Sequence, residues 1–200
     1  MTGITASDGL APGLADPAHD SQRLFRAILD AFAHPGRIVA LPEAPAAVAP
    51  MSQAATAFIL TLIDRDTPLW LAPSFDTPAV RDFVRFHTGA ALVAFEADAL
   101  FGLASTERCP LFDGFPIGND AYPDRSATVV VEVPSLRGGP SLTLRGPGID
   151  GQAQMAIPGL TDDFVQERAA NHALFPCGVD LVFTAGSELL ALPRSIVVER

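Results

Sequence analysis

Apolar residues recur at helical spacing in some stretches of this chain and as short unbroken runs in others, with glycine, proline and acidic breaks between them. Leu24, Phe25, Ile28, Leu29 and Phe32 share one arc opposite Arg23, Arg26 and Asp30, which predicts a helix capped near Asp20 and stopped by His34, Pro35 and Gly36. Ser52 precedes a second helical pattern through Ala55, Phe58, Ile59 and Leu62. Thr77 before Pro78 starts a third, closed by Gly89. Thr161, Asp162 and Asp163 open a fourth, which ends before Phe175. Short apolar runs predict strands at 38–41, 68–72, 91–95, 127–133, 141–145, 179–184, 188–192 and 195–199. The 127–133 and 141–145 runs flank Arg137, Gly138, Gly139 and Pro140 and read as a hairpin, whereas 109–126 reads as a long loop or lid. Strand, helix and strand in succession imply crossover units, and the closely spaced C-terminal strands imply antiparallel edges. The predicted fold is α/β, a three-layer α/β/α arrangement with a mixed sheet and helices on both faces. Residues 1–19 read as a mobile tail and 20–200 as one domain.

Composition narrows the chemistry. The chain has 200 residues, enough for one well-buried core without disulfides. Its apolar runs stay well short of the roughly 18 residues that suggest a membrane span. The N-terminus carries Asp8, Asp16 and Asp20 rather than a basic, then apolar, signal, and Cys109 and Cys177 stand singly, so the expected location is cytoplasmic, with reduced thiols. The net charge of -10 argues against nucleic acid and acidic membrane surfaces as partners. All 13 basic residues are arginine. Without lysine there is neither a Schiff base to pyridoxal phosphate nor a lysine-bearing phosphate loop.

Few residues are arranged for catalysis. His19, His34, His87 and His172 are scattered without metal-ligand spacing, no G-x-S-x-G elbow occurs, and no cofactor or metal is expected. Gly146, Pro147 and Gly148, followed by Gly151, resemble a phosphate loop, but Pro147 lacks an amide donor and the run reads better as a strand-end turn. Arg81 and Arg85 lie four residues apart on one helical face, fit to clamp a phosphate or a partner's carboxylate, or to cover a solvated surface with Arg85 paired to Asp82. Arg145 and Arg194 stand at strand ends, where ligands bind in open α/β sheets and where charges also block edge pairing. These four arginines are the candidate ligand-binding residues, and no catalytic residue is assigned. His87 reads as a hydrogen-bonded core or interface histidine rather than a catalytic base, Trp70 as core, and Asp124 as a local partner of Arg125.

The ordered series FRAILDAFAHPGRIVAL (25–41), LTLIDRDTPLWL (60–71), RFHTGA (85–90), ATVVVEV (127–133), SLRGGPSLTLRGPGI (135–149), FPCGVDLVF (175–183) and LLALPRSIVVE (189–199) resembles the H-subunit family of the bacterial carbon-phosphorus lyase system. The resemblance implies a fold like the large domain of pyridoxal-phosphate-dependent aminotransferases, here without the cofactor lysine. It also implies a homodimer that assembles with the G, I and J subunits and supports formation of alpha-D-ribose 1-methylphosphonate 5-triphosphate from ATP and methylphosphonate. It supplies no catalytic residues, and the 112–125 segment departs from the family pattern. The alternatives are a stand-alone small-anion-binding protein and an enzyme with an unrecognised site.

Overall fold

A computed structural model of the chain describes residues 10–107 and 111–200. Cys109 and the first nine residues of the expected tail lie outside the described residues. Helix α1 spans Pro17–Ala33 and starts earlier than its apolar pattern suggests: Asp16 is the cap, its carboxylate accepting the His19 N–H at 3.3 Å, and Pro17 presets the first helical φ. Asp20, expected as the cap, is instead buried in the first turn, where it accepts the Asp16 N–H at 2.8 Å and Arg23 Nη2 at 2.7 Å. The Asp16 N–H first and Arg23 second hold its carboxyl below the usual range. The expected apolar arc splits: Leu24 and Ile28 are buried, whereas Phe25 and Leu29 face solvent. Upstream of the helix, Ala11 and Leu14 pack against the core.

Strand β1 (Val39–Ala40), helix α2 (Gln53–Leu62), strand β2 (Leu69–Leu71), helix α3 (Pro78–Thr88) and strand β3 (Leu92–Val93) follow. Ser52 Oγ caps α2 through the Ala55 N–H, Thr77 Oγ1 caps α3 through the Val80 N–H, and Gly89 closes α3 at φ 69°, as the pattern predicts. A 3-10 turn at Glu96–Asp98 leads to β4 (Phe101–Ser105), which the sequence reading missed because Gly102 weakens a short apolar run. The expected loop holds a small antiparallel pair, β5 (Ile117–Asn119) and β6 (Tyr122–Ser126). Then come β7 (Thr128–Glu132), β8 (Leu142–Arg145), β9 (Ala153–Met155), α4 (Asp162–His172), β10 (Asp180–Ala185), β11 (Glu188–Leu192) and β12 (Val197–Glu199).

The main sheet has seven strands in the order β1-β11-β10-β7-β4-β2-β3. Strands β3, β2, β4, β7 and β10 run parallel, while β11 runs antiparallel to both β10 and β1. The expected hairpin at 127–145 does not form. Val129, Val130 and Val131 are buried on both faces, each such side chain contributing about 1.5–3 kcal/mol, so β7 takes the sheet centre between two parallel neighbours. Strand β8 joins a separate antiparallel sheet of order β12-β8-β9. The final strand, β12, pairs antiparallel with β8 in this second sheet.

Alternation along the strands fixes what covers each face of the main sheet. Phe101, opposite Thr128, meets Phe58 of α2, and Glu132 bonds the first turn of that helix. On the opposite face Phe183 meets Phe164 of α4, and Phe115 packs edge-on against Trp70, which is core as expected. Phe115 reaches the sheet because Gly102 leaves room: a Cβ there would lie 2.5 Å from its Cζ. The result is an α/β fold around one mixed sheet and one continuous core.

Candidate functional site

Ligands of open α/β sheets usually sit beyond the carboxyl ends of the strands. At that edge Glu132, ending β7, accepts the Ser52 N–H at 3.2 Å and the Thr184 hydroxyl at 3.0 Å, both on Oε2. Burial raises its pKa above the usual 4.5, partly offset by these bonds. A carboxyl raised in the folded state contributes stability that is full below the unfolded value near 4.5 and lost as pH rises through the folded value. Glu132→Gln removes that dependence. The stability of the variant relative to the native chain is expected to rise with pH from 4.5 upward, measured by urea unfolding at several pH values. A gap that stays constant with pH would contradict the assignment.

The four candidate arginines occupy three places. Arg81 and Arg85 share α3. Arg81 Nη2 donates to Asp76 Oδ2 at 2.6 Å and its Nε also meets that carboxylate, which holds the Asp76 carboxyl below its usual range. Arg85 is exposed in the last turn, where a cation complements the helix dipole. Arg145 donates to Gln152 Oε1 at 3.0 Å and lies 3.6 Å from Glu199, joining β8 to the following loop and to β12. Arg194 is internal to the fold: its Nη1 donates to the Pro123 carbonyl at 3.0 Å, the Gly178 carbonyl at 2.8 Å and the Ser126 hydroxyl, while its backbone N–H donates to Asp180 Oδ1 at 2.7 Å. It pins the β5–β6 pair to the turn before β10. Arg125 lies 4.0 Å over the Tyr122 ring, not against Asp124 as expected.

The histidines are engaged separately. His19 meets Asp16 at 2.7 Å, His34 meets Asp30 at 3.1 Å, His87 Nε2 meets the Ala11 carbonyl at 2.9 Å, and His172 Nδ1 meets the Arg194 carbonyl at 3.2 Å. Among the described residues no group of three or more His, Cys, Asp and Glu side chains is placed to hold a metal ion, and no helix is long and apolar enough to cross a membrane. The glycine run after β8 is the expected strand-end turn, with the Ile149 N–H bonded to the Gly146 carbonyl at 3.2 Å.

Two features escaped the sequence reading. The buried stripe of α4 is Phe164, Arg168 and Asn171. The fully buried Arg168 guanidinium donates to the carbonyls of Pro193 (2.8 Å), Ile196 (3.3 Å) and Val179 (3.5 Å). Desolvation pushes its pKa down to about 10 against the charges of Asp180 and Glu167. Asn171 exchanges two bonds with the Val179 backbone, at 2.8 and 3.0 Å. The spacing i, i+4, i+7 was the available signal, hidden because two of its three members are polar. The second feature is a cavity of about 380 Å³ between α4 and the segment leading into β5, walled by Phe112, Phe115, Ala170 and Leu174, with Asp113 and Glu167 also in its lining.

Residues 12–199 match the family described as bacterial phosphonate metabolism protein (PhnH). The chain is similar to the alpha-D-ribose 1-methylphosphonate 5-triphosphate synthase subunit PhnH of Rhizobium meliloti, with 43% identity over 199 residues, 98% of this chain and 100% of that protein. It is also similar to HtxG of Stutzerimonas stutzeri, described as a C-P lyase subunit protein, with 32% identity over 195 residues, 97% of this chain and 93% of that protein.

Proposed function

The chain belongs to the PhnH family of bacterial phosphonate-metabolism proteins, and we propose that it acts as the corresponding subunit of a carbon-phosphorus lyase complex. There it supports formation of alpha-D-ribose 1-methylphosphonate 5-triphosphate from ATP and methylphosphonate. The observation that carries this reading is similarity running the full length of both chains, since a subunit keeps its whole surface, and not just one pocket, in step with its partners. The role is that of an assembly component in the cytoplasm. The chain forms a homodimer and binds the G, I and J subunits. Internal bonding supports an accessory part: the arginines at strand ends and the buried polar groups of α4 brace loops and turns. The parallel centre of the mixed sheet, flanked by helices, suits a relation to the large domain of aminotransferases, from which the cofactor lysine is absent.

A tagged chain recovered from cells grown on phosphonate as sole phosphorus source is expected to bring the other core subunits with it. Adenine release from ATP and methylphosphonate is expected only when the I, G and L subunits are added. Recovery of the chain alone, together with steady adenine release by the purified protein, would overturn the proposal. A second reading, anion capture, is favoured only by the exposed guanidinium of Arg85 beside the Arg81–Asp76 pair. It predicts weaker phosphate binding on replacing both arginines with glutamine, read by calorimetry.

A further inference from the structure

The segment upstream of α1 is lightly held against the rest of the chain. Ala11 and Leu14 pack on the core but stay partly exposed, while Leu10, Pro12 and Ala15 face solvent. Among the described residues, one hydrogen bond ties 10–15 to the body of the fold: His87 Nε2 lies 2.9 Å from the Ala11 carbonyl. A carbonyl can only accept, so Nε2 carries the hydrogen. The imidazole is positioned within its own helix, tilted on the buried Phe83 at 4.5 Å and edge to face with Phe86 at 5.0 Å. Gly13 makes the crossing possible, since a Cβ there would lie 2.9 Å from His87 Nδ1. Space flanks the crossing on both sides. A cavity of about 540 Å³ reaches from Leu10 and Ala11 to Ala79 and Asp82, and one of about 320 Å³ reaches from Gly13 and Leu14 to Ser21 and Leu60. At the far end the Asp16 N–H donates to Asp20 Oδ2 at 2.8 Å and Asp16 caps α1, which fixes the chain from Asp16 onward.

We propose that residues 10–15 form a hinged cover over the seam between α2 and α3, latched by His87, which swings open from Asp16 while the rest of the fold stays intact. Local opening is governed by the contacts that the opening segment itself makes, and these span from almost nothing up to the stability of the whole chain. Here they are one neutral hydrogen bond and two partly exposed apolar side chains. The α3 helix beneath belongs to the other extreme, with Val80, Phe83 and Val84 fully buried. The flanking cavities show that the segment does not fill the seam, so opening gives up little packing while uncovering Leu60 and the His87 imidazole. The latch bond alone is worth roughly a 2- to 12-fold factor in the open population.

Native-state proteolysis of the full-length chain is the test, because cleavage of a transiently opened segment follows its open population. Chymotrypsin is expected to cut at Leu14, located by mass mapping, at a rate that depends only weakly on urea below the unfolding transition. His87→Leu removes the latch bond, and Gly13→Ala pushes a methyl group against the ring. Each is expected to speed cleavage at Leu14 roughly 2- to 12-fold and to leave cleavage within α3 unchanged. Phe25→Ser, on the outer face of α1, is expected to alter neither rate. Cleavage at Leu14 that tracks global unfolding in urea, or equal acceleration at Leu14 and within α3, would show that the segment opens only with the whole fold and would overturn the proposal. So would a Leu14 rate that neither variant moves, or one that already equals the rate in a short peptide of the same sequence.

Discussion

Replacing Arg168 with methionine is expected to lower the stability of the chain by about 3 kcal/mol or more, because a buried charge network loses its fully buried cation while its acceptors stay buried. Methionine fills most of the same volume, so the loss reports hydrogen bonds and charge rather than a cavity. The Ile196 carbonyl loses the guanidinium bond, and the carbonyls of Pro193 and Val179 each lose one of their donors. The Asp180 and Glu167 carboxylates lose the positive charge that Arg168 places beside them. For a chain of this size that loss corresponds to a fall of roughly 6–12 °C in melting temperature. A melt within about 2 °C of the native protein would show that the network is replaceable by packing.

The second large effect is expected at Gly148. Its φ is +83°, and a Cβ there would sit 2.2 Å from the Ala33 carbonyl oxygen and 3.0 Å from Pro35 Cδ, at the close of α1. Gly148→Ala therefore combines a left-handed backbone cost of about 1–2 kcal/mol with overpacking of about 1–3 kcal/mol. Gly151, in the same loop at φ +71° with open space where its Cβ would point, carries the backbone cost alone. Thermal melts of the two alanine variants separate the contributions, Gly148→Ala melting clearly below Gly151→Ala. Equal melts would mean that the loop moves away from α1 at no cost. This glycine run, which resembles a phosphate loop on paper, is a packing joint: its second glycine lets the loop touch the end of the helix.

Most local elements were legible because their signals are local. The Ser52 and Thr77 caps, the Gly89 stop, Trp70 in the core and the strand runs at β2, β7, β10 and β11 follow from spacing and backbone preference within a few residues. The candidate site was far less legible. Arg194 stands at a strand end as expected, but its partners come from two other segments, β6 and the turn before β10, and sequence distance carries no record of that meeting. Arg168 reads as a solvated residue of a polar helix because helical periodicity detects burial only through apolar side chains. Phe25 and Leu29 are ordinary apolar members of the expected α1 arc. Only the folded chain shows that they face outward.

From the sequence alone came the α/β class, the starts of α2 and α3 and the Gly89 stop, the absence of lysine and hence of Schiff-base chemistry, and the family. These rest on composition, on φ/ψ preferences and on motif order, all of which are written along the chain. The pairing of strands came only from the tertiary structure. Strands β7 and β8 look like a hairpin because a glycine turn separates two apolar runs, yet β7 is apolar on both faces and gains more burial between β4 and β10 than beside β8. Which apolar residues are left uncovered was decided at the same level, since burial depends on the area removed by segments far apart in sequence.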